Sequence, residues 1–288
     1  MENIAIVTDT VSDIPEQLCS KHQIEVVPLY VGYEGNLYLD GKEITNKQVY
    51  EKLKSGIKVH TSGPSVGDFV KIYRNLIEIG KKTLIYSIHL SSKLSSTFNT
   101  AFQAKQFFPQ TKIKVIDSKT AAISLGFIVL EAARVAARNE SQEKIDSLID
   151  FMIKNNRLFA TFENFKYLFM GGRAPIFKKF LSKAIVLKPI ITIDNGKVIL
   201  KKFVKNKKNA IIELYKQIKK DSFNASKKKI GIFYGSDIKP ALELEAMVRN
   251  DSKIKIDELI LSEITTIMSA HTGPDIWGIT SCPVLNES

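Results

Sequence analysis

Lys82-Thr83-Leu84-Ile85-Tyr86-Ser87-Ile88-His89 leads, after Leu90, into Ser91-Ser92-Lys93-Leu94-Ser95-Ser96-Thr97-Phe98-Asn99-Thr100-Ala101, and this junction decides the fold. A short apolar run with β-branched and aromatic residues reads as a strand buried on both faces, the kind that parallel sheets contain. The hydroxyl-rich run that follows reads as the turn into a helix. Four serines and two threonines crowd this strand-to-helix turn. Hydroxyls and free backbone N–H groups therefore gather at one helix N-terminus, which suits an anion and in particular a carboxylate.

The same alternation extends in both directions. Ile4–Thr8 and Ile24–Val31 read as strands separated by a short helix from Pro15. Thr83–Ile88 and Ile113–Ile116 read as further strands, each followed by a helical pattern. Ser65 with Asp68 resembles a capping arrangement, and Phe69, Ile72, Tyr73, Leu76 and Ile77 then share one helical face. Ser141 opens a helix to about Asn155. From Arg157 the pattern changes. Leu158–Phe162 reads as a strand, Asn164–Met170 as a short helix ending at Gly171-Gly172, and Lys188–Val204 as a hairpin turning at Asp194-Asn195-Gly196. A helix at Asn206–Lys220, a strand at Ile230–Tyr234, a helix at Asp237–Arg249 and a strand at Ile256–Ile264 follow. The expected fold class is α/β with two α/β domains. Residues 1–156 form the first, a parallel sheet flanked by helices and carrying hydroxyl-rich loops. Residues 157–288 form the second, a mixed, partly antiparallel sheet with helices.

With 288 residues, 44% of them hydrophobic and 25% charged, the chain can bury a sizeable core. Asn3–Thr8 already reads as a strand and Asp9 follows at once, so no secretory signal is expected, and no apolar run approaches the roughly 20 residues of a spanning helix. A cytoplasmic protein is expected. Cys19 and Cys282 stand at opposite ends of the sequence, which excludes a disulfide scaffold and paired-cysteine metal spacing and leaves both as reduced structural thiols. The net charge of +12 is uneven: residues 1–150 carry 18 Lys+Arg against 17 Asp+Glu, and residues 151–288 carry 24 against 13. The basic second half points to an acidic partner such as an anionic membrane surface, or reads simply as solvated lysine faces. The lysines lack interleaved aromatics, so sequence-specific nucleic-acid binding is not expected.

In an open parallel sheet, ligands bind outside the carboxyl ends of the strands. Four loops fit that place: Thr8-Asp9-Thr10, Thr61-Ser62-Gly63-Pro64-Ser65, Ser91 to Thr97, and Asp117-Ser118. Hydroxyls from two such loops can hold a single carboxylate, because hydrogen bonds to ionised groups contribute about 1.5–3 kcal/mol each. Ser65 and Ser95 also fit ordinary helix caps. The chain has no Gly-rich Lys-Ser/Thr phosphate loop, no Gly-x-Gly-x-x-Gly after its first strand and no His-Glu-x-x-His. Nucleotide and zinc-protease chemistry lose ground. Of the four histidines only His271 stands among turn residues, in His271-Thr272-Gly273-Pro274, where it can hydrogen-bond a bound acid.

Together these segments resemble the DegV family of fatty-acid-binding proteins, the carrier subunits of bacterial fatty acid kinase. The matching pieces are Thr8 to Asp13, Thr61 to Ser65, His89 to Ala101, Asp117-Ser118 with Gly126, Tyr167-Leu168 through Gly171-Gly172-Arg173, Lys188-Pro189-Ile190 and His271 to Pro274, in the family's order over nearly the whole chain. The resemblance implies that Thr61, Ser62, Ser95, Ser96 and His271 hold a fatty-acid carboxylate. Ser92, Arg173, Gly172 and Asp9 are then expected nearby or facing the kinase. It implies a long-chain fatty acid as ligand, no cofactor and no metal. The partners implied are a separate ATP-dependent kinase that makes the acyl phosphate and transient contact with the inner membrane face in phospholipid metabolism. The chain is then a non-catalytic substrate carrier. Candidate tunnel walls are Phe159, Phe162, Phe165, Leu168, Ile185, Leu187, Ile190 and Ile264, each of which fits plain core equally well. Two positions depart from the family pattern, Ser96 and Asp275, where glycine is common, and both side chains are expected to narrow the head-group pocket. The competing reading is a stand-alone acyl hydrolase in which Ser95 and His271 form nucleophile and base with Asp9 or Asp117 as orienter.

Overall fold

The computed structural model describes residues 2–163, 167–168, 172, 187–221 and 227–284. Four parallel strands make the first sheet, in the order β2-β1-β6-β7: β1 (Ile4–Asp9), β2 (Ile24–Val27), β6 (Leu84–His89) and β7 (Lys112–Asp117). All six residues of β6 are buried, which is why the sequence shows an apolar run there without alternation. A small antiparallel sheet, β4-β3-β5, stands beside it, built from β3 (Tyr30–Tyr33), β4 (Asn36–Leu39) and β5 (His60–Ser62).

The expected single strand Ile24–Val31 is in fact two strands in two sheets. Pro28 lies between them and has no N–H to give to a ladder, so the chain leaves the parallel sheet at Val27. Leu29 N–H then bonds Thr10 Oγ1 at 3.3 Å, and Tyr30 starts the small sheet. Helices α1 (Glu16–Lys21), α2 (Asn46–Lys54) and α3 (Val66–Glu78) connect these strands. Ser65 caps α3 in a reciprocal capping box with Asp68, as its spacing predicts.

The second large sheet is mixed and has the order β10-β9-β8-β13-β11-β12. Its strands are β8 (Arg157–Phe162), β9 (Lys188–Asp194), β10 (Lys197–Val204), β11 (Lys228–Tyr234), β12 (Ile256–Glu263) and β13 (Ile276–Pro283). Only β11 and β12 run parallel. Asn195 and Gly196 both have positive φ in the tight turn between β9 and β10, as the Asp-Asn-Gly sequence predicts. Of the expected helix Asn164–Met170, Tyr167 and Leu168 are helical, and the remainder lies outside the described residues.

Helix α4 (Thr97–Ala104) follows the Ser-rich loop, α5 (Ala122–Ala137) and α6 (Gln142–Asn155) lead to β8, and α7 (Lys207–Asp221), α8 (Lys239–Arg249) and α9 (Thr266–Thr272) belong to the later half. Helix α5 buries 12 of its 16 residues because it lies between the two large sheets. A Cβ on Gly126 would sit 2.6 Å from Ser12 O, and one on Gly231 of β11 would sit 2.5 Å from Ile123 Cγ2, so both glycines permit the close approach of helix and sheets. One core cluster thus runs from Ile6 in the parallel sheet to Phe233 and Cys282 in the mixed one. Burial pushes the Cys282 thiol up to about 12, which leaves it protonated and unreactive.

Candidate functional site

A cavity of about 290 Å³ lies between the carboxyl ends of the parallel strands and one face of the mixed sheet. Its walls combine Val11, Leu90 and Leu94 from the loops after β1 and β6 with Leu158 and Ala160 of β8, Ile191 and Ile193 of β9, and Phe233 of β11. Ile267 and Met268 of α9 and Leu168 add to the apolar lining. Its polar lining consists of Thr61, Ser62, Ser95, Ser96, His271 and Thr272. No Lys, Arg, Asp or Glu stands among the described lining residues, so the polar part is a neutral cradle.

Three elements bring the hydroxyls together. Thr61 and Ser62 end β5, which pairs Thr61 with Val31 of β3. Ser95 and Ser96 precede α4, with Ser96 as its N-cap. Gly63 allows the two hydroxyl loops to meet: a Cβ there would lie 3.2 Å from Ser96 Oγ and 3.8 Å from Ser95 Oγ. From the third element, His271 Nε2 stands 2.8 Å from Thr61 Oγ1. Ser95 Oγ is 2.8 Å from Thr97 Oγ1 and accepts from Thr97 N–H at 3.3 Å, so it is oriented by the first residue of α4. All five residues expected at a carboxylate therefore border one cavity.

The other expected residues fall elsewhere. Asp9 is fully buried and off the cavity wall, so it faces no partner directly. Its oxygens accept from Val11 N–H at 3.1 Å, Leu90 N–H at 3.0 Å and His89 Nδ1 at 2.9 Å. Ser92 gives its hydroxyl to Asp117 Oδ2 at 2.5 Å and does not reach the cavity. Gly172 is exposed with φ of +68°, away from the lining, and Arg173 lies outside the described residues. Of the two departures, Ser96 lines the cavity, but Asp275 turns its carboxylate to Ser236 Oγ at 3.2 Å and narrows nothing.

The hydrolase arrangement is not assembled. Asp9 serves His89 and Asp117 serves Ser92 and the Lys119 N–H, so neither expected orienter is hydrogen-bonded to His271. His271 itself is in the last turn of helix α9 rather than in a loop. Among the described residues no cluster of His, Cys, Asp and Glu could hold a metal ion, and no helix is long and apolar enough to cross a membrane.

The tunnel-wall expectation fails in part by parity. Side chains alternate across a strand, so β8 and β9 present Leu158, Ala160, Ile191 and Ile193 to the cavity, while Phe159 and Ile190 join the core on the opposite face of the sheet. Phe162, Leu187 and Ile264 do not line the cavity, Leu168 does, and Phe165 and Ile185 lie outside the described residues. The missed walls Val11 and Leu90 stand directly after the carboxyl ends of β1 and β6, a position that the topology of parallel sheets marks out.

Comparison with known proteins gives a consistent result. A family model described as "Uncharacterised protein, DegV family" matches residues 3–284. A DegV domain-containing protein of Caldanaerobacter subterraneus is 31% identical over 279 residues, 97% of this chain and 98% of the relative. Among solved structures, a fatty-acid-binding DegV family protein from Thermus thermophilus is similar with a TM-score of 0.93 and 28% identity, covering 99% of this chain and 100% of that one. A stearic-acid-binding protein from Eubacterium ventriosum has a TM-score of 0.88 and 26% identity, covering 98% of each chain.

Proposed function

This chain belongs to the DegV family, and from that premise we propose that it binds a long-chain fatty acid in the cavity and presents the carboxylate to a separate ATP-dependent kinase. The observation that carries this reading is the convergence of Thr61, Ser62, Ser95, Ser96 and His271 on a cavity whose other described walls, Thr272 apart, are apolar and uncharged. A carboxylate among hydroxyls and an imidazole gains several hydrogen bonds to its ionised form, each contributing about 1.5–3 kcal/mol. The tail supplies the larger share of affinity, since a palmitoyl chain buries on the order of 14 methylenes at about 0.8 kcal/mol each before entropic costs.

The carrier role and the division into units at residues 1–156 and 157–288 belong to the same proposal. Ser62 and Ser96 are exposed as well as cavity-lining, so the polar end is open to a second protein that brings ATP. In this reading the chain is a cytoplasmic, non-catalytic subunit, and exposed Lys201, Lys205 and Lys208 favour transient contact with the anionic inner membrane face, where acids enter and leave. Lipid extraction and native mass spectrometry of the purified protein test the core of it. A co-purified long-chain acid, with Ser95→Ala and Thr61→Val each weakening binding of added palmitate by about tenfold, is the expected result. A protein that neither carries nor binds any such acid overturns it.

A further inference from the structure

The loop ends that carry Val11 and Leu90 are tied to each other by a buried network that touches no ligand. Asp9 Oδ1 accepts from Val11 N–H, and Oδ2 accepts from Leu90 N–H and from His89 Nδ1. His89 Nε2 lies 2.6 Å from Ser87 Oγ, and Tyr73 Oη donates to the same Ser87 oxygen at 2.7 Å. With a hydrogen on His89 Nδ1 each donor has one acceptor: Tyr73 to Ser87, Ser87 to His89, and His89 to Asp9. All four residues have no exposed surface, and the His89 ring packs nearly perpendicular to Phe69, with centroids 5.0 Å apart.

Ser87, His89 and Asp9 are connected in the order of a nucleophile, base and acid, but no route to Ser87 exists for a substrate, since it is fully buried and off the cavity wall. The network's reach is instead outward through Asp9. The two amides it holds belong to residues whose side chains line the cavity, and the second begins the loop that carries Ser95. We infer that Asp9 and His89 form a positioning pair that sets the spacing of the cavity's two loop walls, so that the Ser95 hydroxyl is already in place when an acid enters. This deepens the fatty-acid reading and rests on it.

Two substitutions at His89 separate positioning from simple core stability. His89→Asn keeps a donor where Nδ1 faces Asp9 and gives up Ser87, whereas His89→Gln keeps a partner for Ser87 at the Nε2 position and leaves Asp9 without its third donor. Unfolding midpoints and palmitate affinity are measured for both, together with Asp9→Asn. The expected result is a similar loss of thermal stability in the two His89 variants. Affinity should stay within about threefold of the parent for His89→Asn and weaken at least tenfold for His89→Gln and Asp9→Asn. Equal affinities in the two His89 variants, the reverse order, or failure of both to fold overturns the positioning role. A parent protein that binds no acid overturns the fatty-acid reading itself, which is a separate outcome.

Discussion

Two sets of buried acids flank the cavity, and they are satisfied differently. Asp9 receives three donors across its two oxygens and fastens β1 to β6. Asp13 and Asp40 are equally hidden, yet each uses one oxygen: Asp13 Oδ1 accepts from Thr265 N–H at 3.1 Å, and Asp40 Oδ1 from Thr266 N–H at 3.2 Å and Thr266 Oγ1 at 2.5 Å. Among the described residues, neither Oδ2 is paired at hydrogen-bonding geometry, and the Thr10 hydroxyl also favours the ionised form of Asp40. Burial, opposed in part by the hydrogen bonds from Thr265 and Thr266, raises both carboxyls above the usual range, and mutual repulsion with neighbouring acids adds to it. The amides they hold lie at the start of α9, the helix that carries His271. One side of the cavity is thus held by a fully paired carboxylate and the other by carboxyls that respond to pH.

The comparison breaks most visibly at Asp9. Asp9→Ala strands two buried amides and an imidazole donor at once, and removal of one partner from such a buried pair costs about 3–5 kcal/mol. Urea unfolding of the variant measures it. A loss below about 1 kcal/mol, the size of one ordinary hydrogen bond, would mean that the network does not hold the strands.

The second prediction concerns the sign of the pH response at Asp13. Its folded-state pKa lies above its unfolded value, so between the two the folded chain binds more protons than the unfolded one, and stability falls as pH rises through that window. The contribution is whole below the ordinary carboxylate range near 4 and lost as pH climbs through the raised value. Asp13→Asn retains an acceptor for Thr265 N–H without the ionisation. The stability of Asp13→Asn relative to the parent should therefore increase from pH 4 to pH 8. A difference that stays constant with pH would place the proton elsewhere.

What was legible in the chain, and what was not, follows the same division. The junction at His89 to Thr97 was readable because β6 is buried on both faces, as an inner parallel strand is, and its hydroxyl loop therefore lies at the carboxyl end of the sheet. The convergence of Thr61 and Ser95 was readable only as two hydroxyl-rich segments: Ser95 follows β6 of the parallel sheet as expected, but Thr61 lies in β5 of the small antiparallel sheet and not in a loop of the parallel one. The role of Asp9 was not, because its partner His89 is 80 residues away and nothing local distinguishes a buried acid from an exposed one. Helix α9 escaped for a related reason: it has seven residues, its N-cap Thr265 makes no side-chain cap bond, and its amides are held by Asp13, 252 residues earlier. The choice between Phe159 and Leu158 as a wall needed the face of the strand, which a mixed sheet covered on both sides conceals from hydropathy.

The smallest expected effect sharpens the description of the rigid side. Ser91 follows the Leu90 amide held by Asp9, and its buried hydroxyl donates to Gly196 O at 2.8 Å, in the turn between β9 and β10. A side chain at Gly196 would put its Cβ 2.3 Å from that hydroxyl, and φ there is +80°, so the turn is shaped to fit Ser91. Ser91→Ala removes one neutral hydrogen bond and should cost about 1 kcal/mol. Hydrogen exchange locates the loss. Faster exchange at Asn195 and Gly196, with Val11 and Leu90 amides still protected, would show that the hairpin is fastened to a wall that Asp9 holds independently. Faster exchange at Leu90 as well would make clamp and hairpin one cooperative unit, and a double variant with Asp9→Asn would then lose less than the two single losses added together.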